Sequence, residues 1–144
     1  MSFVRVWIHF IWSTKKHEKF IDDELKKRLL IHIKNYCKEK QIWLDTVNCV
    51  SDHIHLLISI GAEQTISKVV GLIKGESSHW INQNKLTKTK FEWQTEYMGI
   101  SVSESIVSKV RAYIHNQEEH HRKKSFVEEY DEFMKKYGQK IIDG

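Results

Sequence analysis

Hydrophobic and polar residues alternate from Phe3 to Trp12. Val4, Val6, Ile8, Phe10 and Trp12 share one face, and Phe3, Arg5, Trp7, His9 and Ile11 the other. Period-two alternation with β-branched and aromatic side chains on both faces predicts a central strand, covered on both sides. The pattern then becomes helical. Asp22 is placed as an N-cap, Asp23 and Glu24 fall in the first turn, and Leu25, Leu29, Ile33 and Cys37 recur every four residues. That spacing predicts an amphipathic helix over about 22–39, with Lys26, Lys27, Arg28, Lys34 and Lys38 on its solvated side. Alternation returns over Ile42–Val50, pauses at the turn residues Ser51-Asp52, and resumes over His53–Ile60, which predicts an antiparallel hairpin.

Thr65 is set to cap a second helix running to about Gln83, with Ile66, Val69, Val70, Ile73 and Trp80 on its buried side. Phe91–Val102 then predicts a fourth strand. The order β-α-β-β-α-β suggests an α+β, ferredoxin-like (RRM-like) sandwich, a four-stranded antiparallel sheet with two helices on one face. The Ile54, Leu56 and Ile58 stripe would pack on those helices, leaving the face with His53 and His55 open. A further helix over about 103–118, starting at Ser103, carries Ile106, Val110, Tyr113 and Gln117 on one stripe and is the candidate cover. A last helix over about 125–137 presents Phe126, Tyr130, Phe133, Met134 and Tyr137, to dock on this domain or on a partner subunit. The 144 residues read as a single domain with its core over 1–102.

Composition adds little that is unusual. Hydrophobic residues make up 40% and aromatic residues 11%, ordinary for a globular chain. No apolar run is long enough to span a membrane, and no signal-peptide pattern opens the chain, so a cytoplasmic location is expected. Cys37 and Cys49 lack metal-site spacing and read as small buried hydrophobes in a reducing compartment. A net charge of +4, from 23 basic and 19 acidic residues, is compatible with nucleic-acid binding without requiring it.

The chemistry concentrates on two stretches. His53 and His55 lie on one strand face about 6.6 Å apart, close enough to lean toward one metal ion. Tyr113 and Gln117, four residues apart, point the same way from one helix. A tyrosine hydroxyl has a free pKa of about 10 and is a poor nucleophile at neutral pH. It becomes useful against a phosphodiester polarised by a cation. His53, His55 and Gln117 would hold a divalent ion, Mg²⁺ or Mn²⁺, and Tyr113 would attack the phosphate. A phosphotyrosine conserves the energy of the broken bond, so a free strand end can reverse the step.

At these residues the chain resembles the single-tyrosine HUH transposases of the insertion sequence 200/605 group, with their domesticated relatives associated with repeated palindromes. The resemblance rests on Asp52-His53-Ile54-His55-Leu56-Leu57-Ile58-Ser59, on Trp93-Gln94-x-x-Tyr97, on Arg111–Phe126, and on Trp12-Ser13-Thr14-Lys15. It implies His53 and His55 as metal ligands, Tyr113 as nucleophile and Gln117 as third ligand. It also implies single-stranded DNA with hairpin ends as substrate, a 5′-phosphotyrosine, and a homodimer in which one subunit's tyrosine helix can complete the other's site. Lys15, Lys16, Arg122, Lys123 and Lys124 are candidates for phosphate contacts, and His9 for a supporting role beside the metal histidines. Two other readings stand beside this one. The first is a domesticated nuclease that processes palindromes. The second is a non-enzymatic RRM-like module, which would bind bases on aromatic side chains of the open sheet face.

Overall fold

The computed structural model describes residues 2–117, together with Glu128, Asp131, Glu132 and Lys135. The helix expected over about 125–137 therefore falls largely outside the described residues. Seven main elements follow in order: β1 (Val6–Ser13), α1 (Asp23–Glu39), β2 (Trp43–Cys49), β3 (His53–Ile60), α2 (Ile66–Gln83), β4 (Met98–Val102) and α3 (Val107–His115). The four strands form one antiparallel sheet in the order β2-β3-β1-β4, the ferredoxin-like arrangement expected from the element order. Of the three expected N-caps two hold, and Ser103 makes no side-chain capping bond to the helix it precedes. Asp22 accepts from the Leu25 amide at 2.8 Å, and the Thr65 hydroxyl accepts from the Lys68 amide at 3.2 Å. Among the described residues no helix is long and apolar enough to cross a membrane.

Two cores sandwich the sheet. On one face Ile8, Phe10, Trp12, Ile54, Leu56 and Ile58 pack on Leu25, Leu29, Ile33, Val70 and Ile73 of α1 and α2. On the other, Trp7, Ile11 and Leu57 pack on Val107, Val110 and Ile114 of α3. The central strands β1 and β3 are thus buried on both faces, as the double-sided hydrophobic pattern of β1 requires. Cys37 and Cys49 are free and buried, and burial pushes the Cys37 thiol up to about 12. A thiol held neutral in this way is packing material, not a reactive group.

Three expected boundaries shift. Phe3 and Val4 are exposed, and pairing of β1 begins only at Val6, where β3 ends opposite it at Ile60. Phe91–Tyr97 does not join the fourth strand. Its backbone is engaged by a side chain instead: Asn82 donates to the Phe91 carbonyl (2.9 Å) and accepts from the Phe91 amide (2.7 Å). Phe91 and Trp93 then plug the end of the α1/α2 core, and the segment makes an isolated bridge, Thr14 to Trp93, in place of a continued ladder along β1. The tyrosine helix opens with a 3-10 turn over Glu104–Ile106, and its buried line is Val107, Val110 and Ile114. Tyr113 therefore sits on the flank of the contact face. Ile66, expected inside, is exposed.

Polar contacts hold α3 to its own sheet. Asn48 of β2 donates to the carbonyls of Ile114 (2.9 Å) and His115 (3.3 Å). These are carbonyls of the last turn, which have no partner within a helix. Arg111 donates through Nε and Nη2 to the two carboxylate oxygens of Asp45, each at 2.8 Å. Trp7 Nε1 donates to Glu104 at the start of the segment.

The Arg111 guanidinium holds the Asp45 carboxyl below the usual carboxylate range. Such a depressed group stabilises the fold above its unfolded value, near 3.9, and the contribution disappears as pH falls through the lower folded value. With the Arg111 side chain 43% exposed, the pair is worth about 1 kcal/mol. Asp45→Asn is expected to speed hydrogen exchange of the α3 amides about fivefold at pH 7. The difference from the parent should stay constant down to about pH 5 and shrink below about pH 4. Unchanged α3 exchange in the variant would show that the pair does not hold the helix.

Candidate active site

His53 and His55 are the first and third residues of β3, immediately after the Ser51-Asp52 turn. Strand alternation sends both to the α3 side, where they are fully buried with ring centroids 5.2 Å apart. The register sets Ser13 opposite His53, Ile11 opposite His55 and Leu57 opposite His9. His9 therefore approaches His55 on the diagonal, and His9 Nε2 lies 2.9 Å from His55 Nδ1. Asp52, from the turn, accepts from His53 Nδ1 at 2.8 Å. Each histidine of the pair is thus tethered through Nδ1, which makes Nε2 the atom each could offer as a ligand. Burial pushes the His9 imidazole down to about 3, so it is neutral at physiological pH and can accept a hydrogen bond.

Across from this pair stand Tyr113 of α3 and Gln117, which lies two residues past the end of α3 because the helix expected to run to about 118 is interrupted at Asn116. With Val110 and Ile114 wedged on the sheet, Tyr113 stands beside the histidines at the helix flank. Its ring centroid lies 5.8 Å from that of His55 and 6.3 Å from that of His9, both at steep angles. Gln117 follows one turn later, fully buried, with its amide nitrogen 3.2 Å from His53 Nε2. The expected constellation of His53, His55, Tyr113, Gln117 and His9 is therefore assembled in one place, within one chain. The contacts join residues far apart in the chain, His9 with Tyr113 and His53 with Gln117 among them.

The donor set can be tested against a metal ion. Among the described residues no group of three His, Cys, Asp or Glu side chains is arranged to hold one. The third histidine nearby, His9, directs its Nε2 at His55. A protein-supplied triad would thus need the Gln117 amide. A half-turn of that carboxamide exchanges nitrogen for carbonyl oxygen at the same place, 3.2 Å from His53 Nε2. Two imidazole nitrogens and a carbonyl oxygen are neutral donors that fit a divalent ion of the Mn²⁺ or Mg²⁺ kind.

The remaining expected contacts divide. Lys15 pairs with Glu92 at 2.9 Å, and Lys16 stands in the turn after β1 with φ of 58°. Neither touches the histidine cluster in any described contact. Arg122, Lys123 and Lys124 lie outside the described residues. Sequence reasoning missed the supporting roles of Asp52, Asn48 and the Asp45–Arg111 pair. Only Asp52 had a local signal, an acid directly before the His-x-His strand. The aromatic sheet face that an RRM-like module would offer to bases is buried under α3, which conflicts with that reading.

Comparison with known proteins bears on the family and the fold. The family model described as transposase IS200 like matches residues 2–117. The ISDra2 transposase TnpA of Deinococcus radiodurans is 25% identical over 114 residues, covering 76% of this chain and 81% of the relative. The transposase for insertion sequence element IS200 of Salmonella typhimurium is 26% identical over 70 residues, 49% of this chain and 46% of its own length. Among solved structures, a transposase candidate from Deinococcus radiodurans R1 superposes with a TM-score of 0.66 at 23% identity, over 81% of this chain and 93% of its own. A REP-associated tyrosine transposase bound to a REP hairpin gives 0.64 at 11% identity, over 84% of this chain and 72% of its own. These two likenesses bear on the fold, and the family match spans both the histidine strand and the tyrosine helix: the chain belongs to the IS200-like transposase family.

Proposed function

We propose that this transposase cleaves and rejoins single-stranded DNA at insertion-sequence ends through a 5′-phosphotyrosine on Tyr113. The observation that carries the reading is the meeting of Tyr113 and Gln117 with His53 and His55 in one buried cluster. His53, His55 and Gln117 would hold Mg²⁺ or Mn²⁺, which when bound supplies Lewis-acid polarisation of the scissile phosphate. Asp52 and His9 hold the two imidazoles in one tautomer and one orientation. Tyr113 Oη attacks phosphorus; a Tyr Oη–P bond forms, the P–O3′ bond breaks, and the strand leaves with a free 3′-hydroxyl. Attack by a 3′-hydroxyl on the same phosphorus reverses the step and frees the tyrosine. Rejoining therefore needs no outside energy source. DNA with hairpin ends is the proposed substrate, supported by the hairpin bound to the REP-associated neighbour. A homodimer is part of the same proposal and rests on the family resemblance.

Tyr113→Phe should lower covalent attachment to single-stranded hairpin DNA by at least about 10³-fold while hairpin affinity is retained. Mass spectrometry of the protein after incubation with Mn²⁺ and DNA reads the adduct, and attachment in the Phe variant would sink the assignment. His55→Ala should reduce Mn²⁺-dependent cleavage at least about 100-fold, at or beyond the loss usual for groups that merely support a ligand. Cleavage surviving at the parent rate would place the metal site elsewhere.

A further inference from the structure

Where β4 begins, the edge of β1 changes partner. Ile11 pairs with Met98, the first residue of β4, whereas Thr14 bridges to Trp93 and the Ser13 carbonyl accepts from the Gln94 amide at 2.9 Å. Residues 94–97 must therefore span what Trp12 and Ser13 span on β1. The excess chain bows away and encloses a crevice of about 250 Å³, lined among others by Trp12, Ser13, His17, Gln94, Glu96 and Tyr97.

The walls are preformed. Lys74 Nζ donates to the carbonyls of Gln94 (2.5 Å) and Thr95 (2.9 Å), fixing the bow from the α2 side. On the other wall, Lys16 and His17 hold φ of 58° and 56°, a left-handed conformation that non-glycine residues adopt at a cost. The Thr14 hydroxyl, donating to the Glu18 carbonyl at 2.6 Å, closes that turn.

The crevice also carries donors in search of acceptors. Trp12 is 2% exposed, and its indole Nε1 has no hydrogen-bond acceptor among the described residues. Trp93 packs edge-to-face on Trp12 at 6.1 Å, but its own ring nitrogen donates to Ser77 and offers no acceptor. Gln94 Oε1 accepts from the Ser13 hydroxyl, so its carboxamide keeps two N–H donors unused by any described residue. Beside them, the half-exposed Tyr97 ring offers a stacking face. Such a space, smaller than the roughly 300 Å³ at which drug-sized pockets begin, suits one planar ring.

Its position gives the ring a role. Ser13 is the register partner of His53 and Ile11 of His55, and the crevice opens along the other edge of β1, about two strand spacings or roughly 10 Å from β3. We propose that it receives one unpaired keto-bearing nucleobase, thymine or guanine, of the nucleotide next to the scissile phosphate. Tyr97 stacks on the base, and Trp12 Nε1 and Gln94 Nε2 donate to its carbonyl edge. Adenine, whose amino group would meet those donors, is the poorest fit. The proposal rests on the reading of the chain as a single-strand DNA transferase.

The test uses overlapping single-stranded oligonucleotides copied from the DNA that flanks the gene. The parent protein is first incubated with each in Mn²⁺. If no oligonucleotide becomes attached to Tyr113, the functional reading itself fails, and the base site with it. On an attached oligonucleotide, each nucleotide is replaced in turn by an abasic site, and affinity is compared for the parent, Tyr97→Ala, Gln94→Leu and Trp12→Phe. One position beside the cut should cost the parent roughly 5- to 100-fold in affinity. The variants should lose a comparable factor on intact DNA and nothing further when that position is abasic. At that position the parent should rank thymine or guanine above adenine, with the ranking flattened in Gln94→Leu. Trp12→Phe keeps a core aromatic and removes only the N–H, which guards against a folding artefact. Attachment to Tyr113 with variant and abasic losses that multiply independently at every position, or with variants that bind as the parent does, would overturn the crevice assignment alone.

Discussion

The register of β1 against β3 is the constraint on which the rest of this molecule depends. It sets Ile11 opposite His55 and Ser13 opposite His53, and so puts His9, His53 and His55 on one face of the sheet. A slip of β3 by one residue would turn His53 and His55 toward the α1/α2 core, away from His9, and bring Leu56 out under α3. Neither face would then match its cover. Because both faces are buried, the hydrophobic pattern fixes the register twice, once from each side. The histidine cluster inherits that precision without having to supply it.

Covering the second face serves packing and chemistry together. Val107, Val110 and Ile114 take Trp7, Ile11 and Leu57 out of water, and the same helix carries Tyr113 to the histidines and sets Gln117 just past its end beside them. Apolar burial supplies the driving force, while Asn48 and the Asp45–Arg111 pair choose where along the sheet the helix settles. A helix held by a short apolar line and a few partly solvated polar contacts is also one that can be released. This is a physical basis for the exchange of tyrosine helices between subunits that the family resemblance implies.

The cluster is built from imidazoles, a phenol and an amide, groups that carry no obligatory charge. An ammonium or a lone carboxylate here would be costly to desolvate, whereas imidazoles and an amide tolerate a dry site if their polar atoms meet partners. His9 illustrates the point: burial holds it uncharged, and in that state it can accept from His55. Asp52, the charged member, sits at the rim with its side chain 14% exposed and tethers His53 from there. Charge lies at the edge of the proposed metal site and lone pairs at its centre, which suits binding of a cation that arrives with a phosphate.

Much of this was determined by the sequence alone. Period-two alternation and four-residue spacing named the strands and helices, because burial on a strand or a helix leaves a periodic trace. The His-x-His strand was legible for the same reason, two residues sharing a face within one element; Tyr113 and Gln117 also meet the histidines, although the helix expected to carry both stops at His115. What the sequence did not contain was any trace of contacts between elements. The diagonal approach of His9, the Asn48 grip on the last turn of α3 and the bow of residues 94–97 each depend on register and docking. Asn82 likewise drew Phe91 away from the strand its pattern suggested, since a side chain took the hydrogen bonds that a ladder would have used. Local periodicity decides which face a residue occupies; only the packed chain decides which residue it meets there.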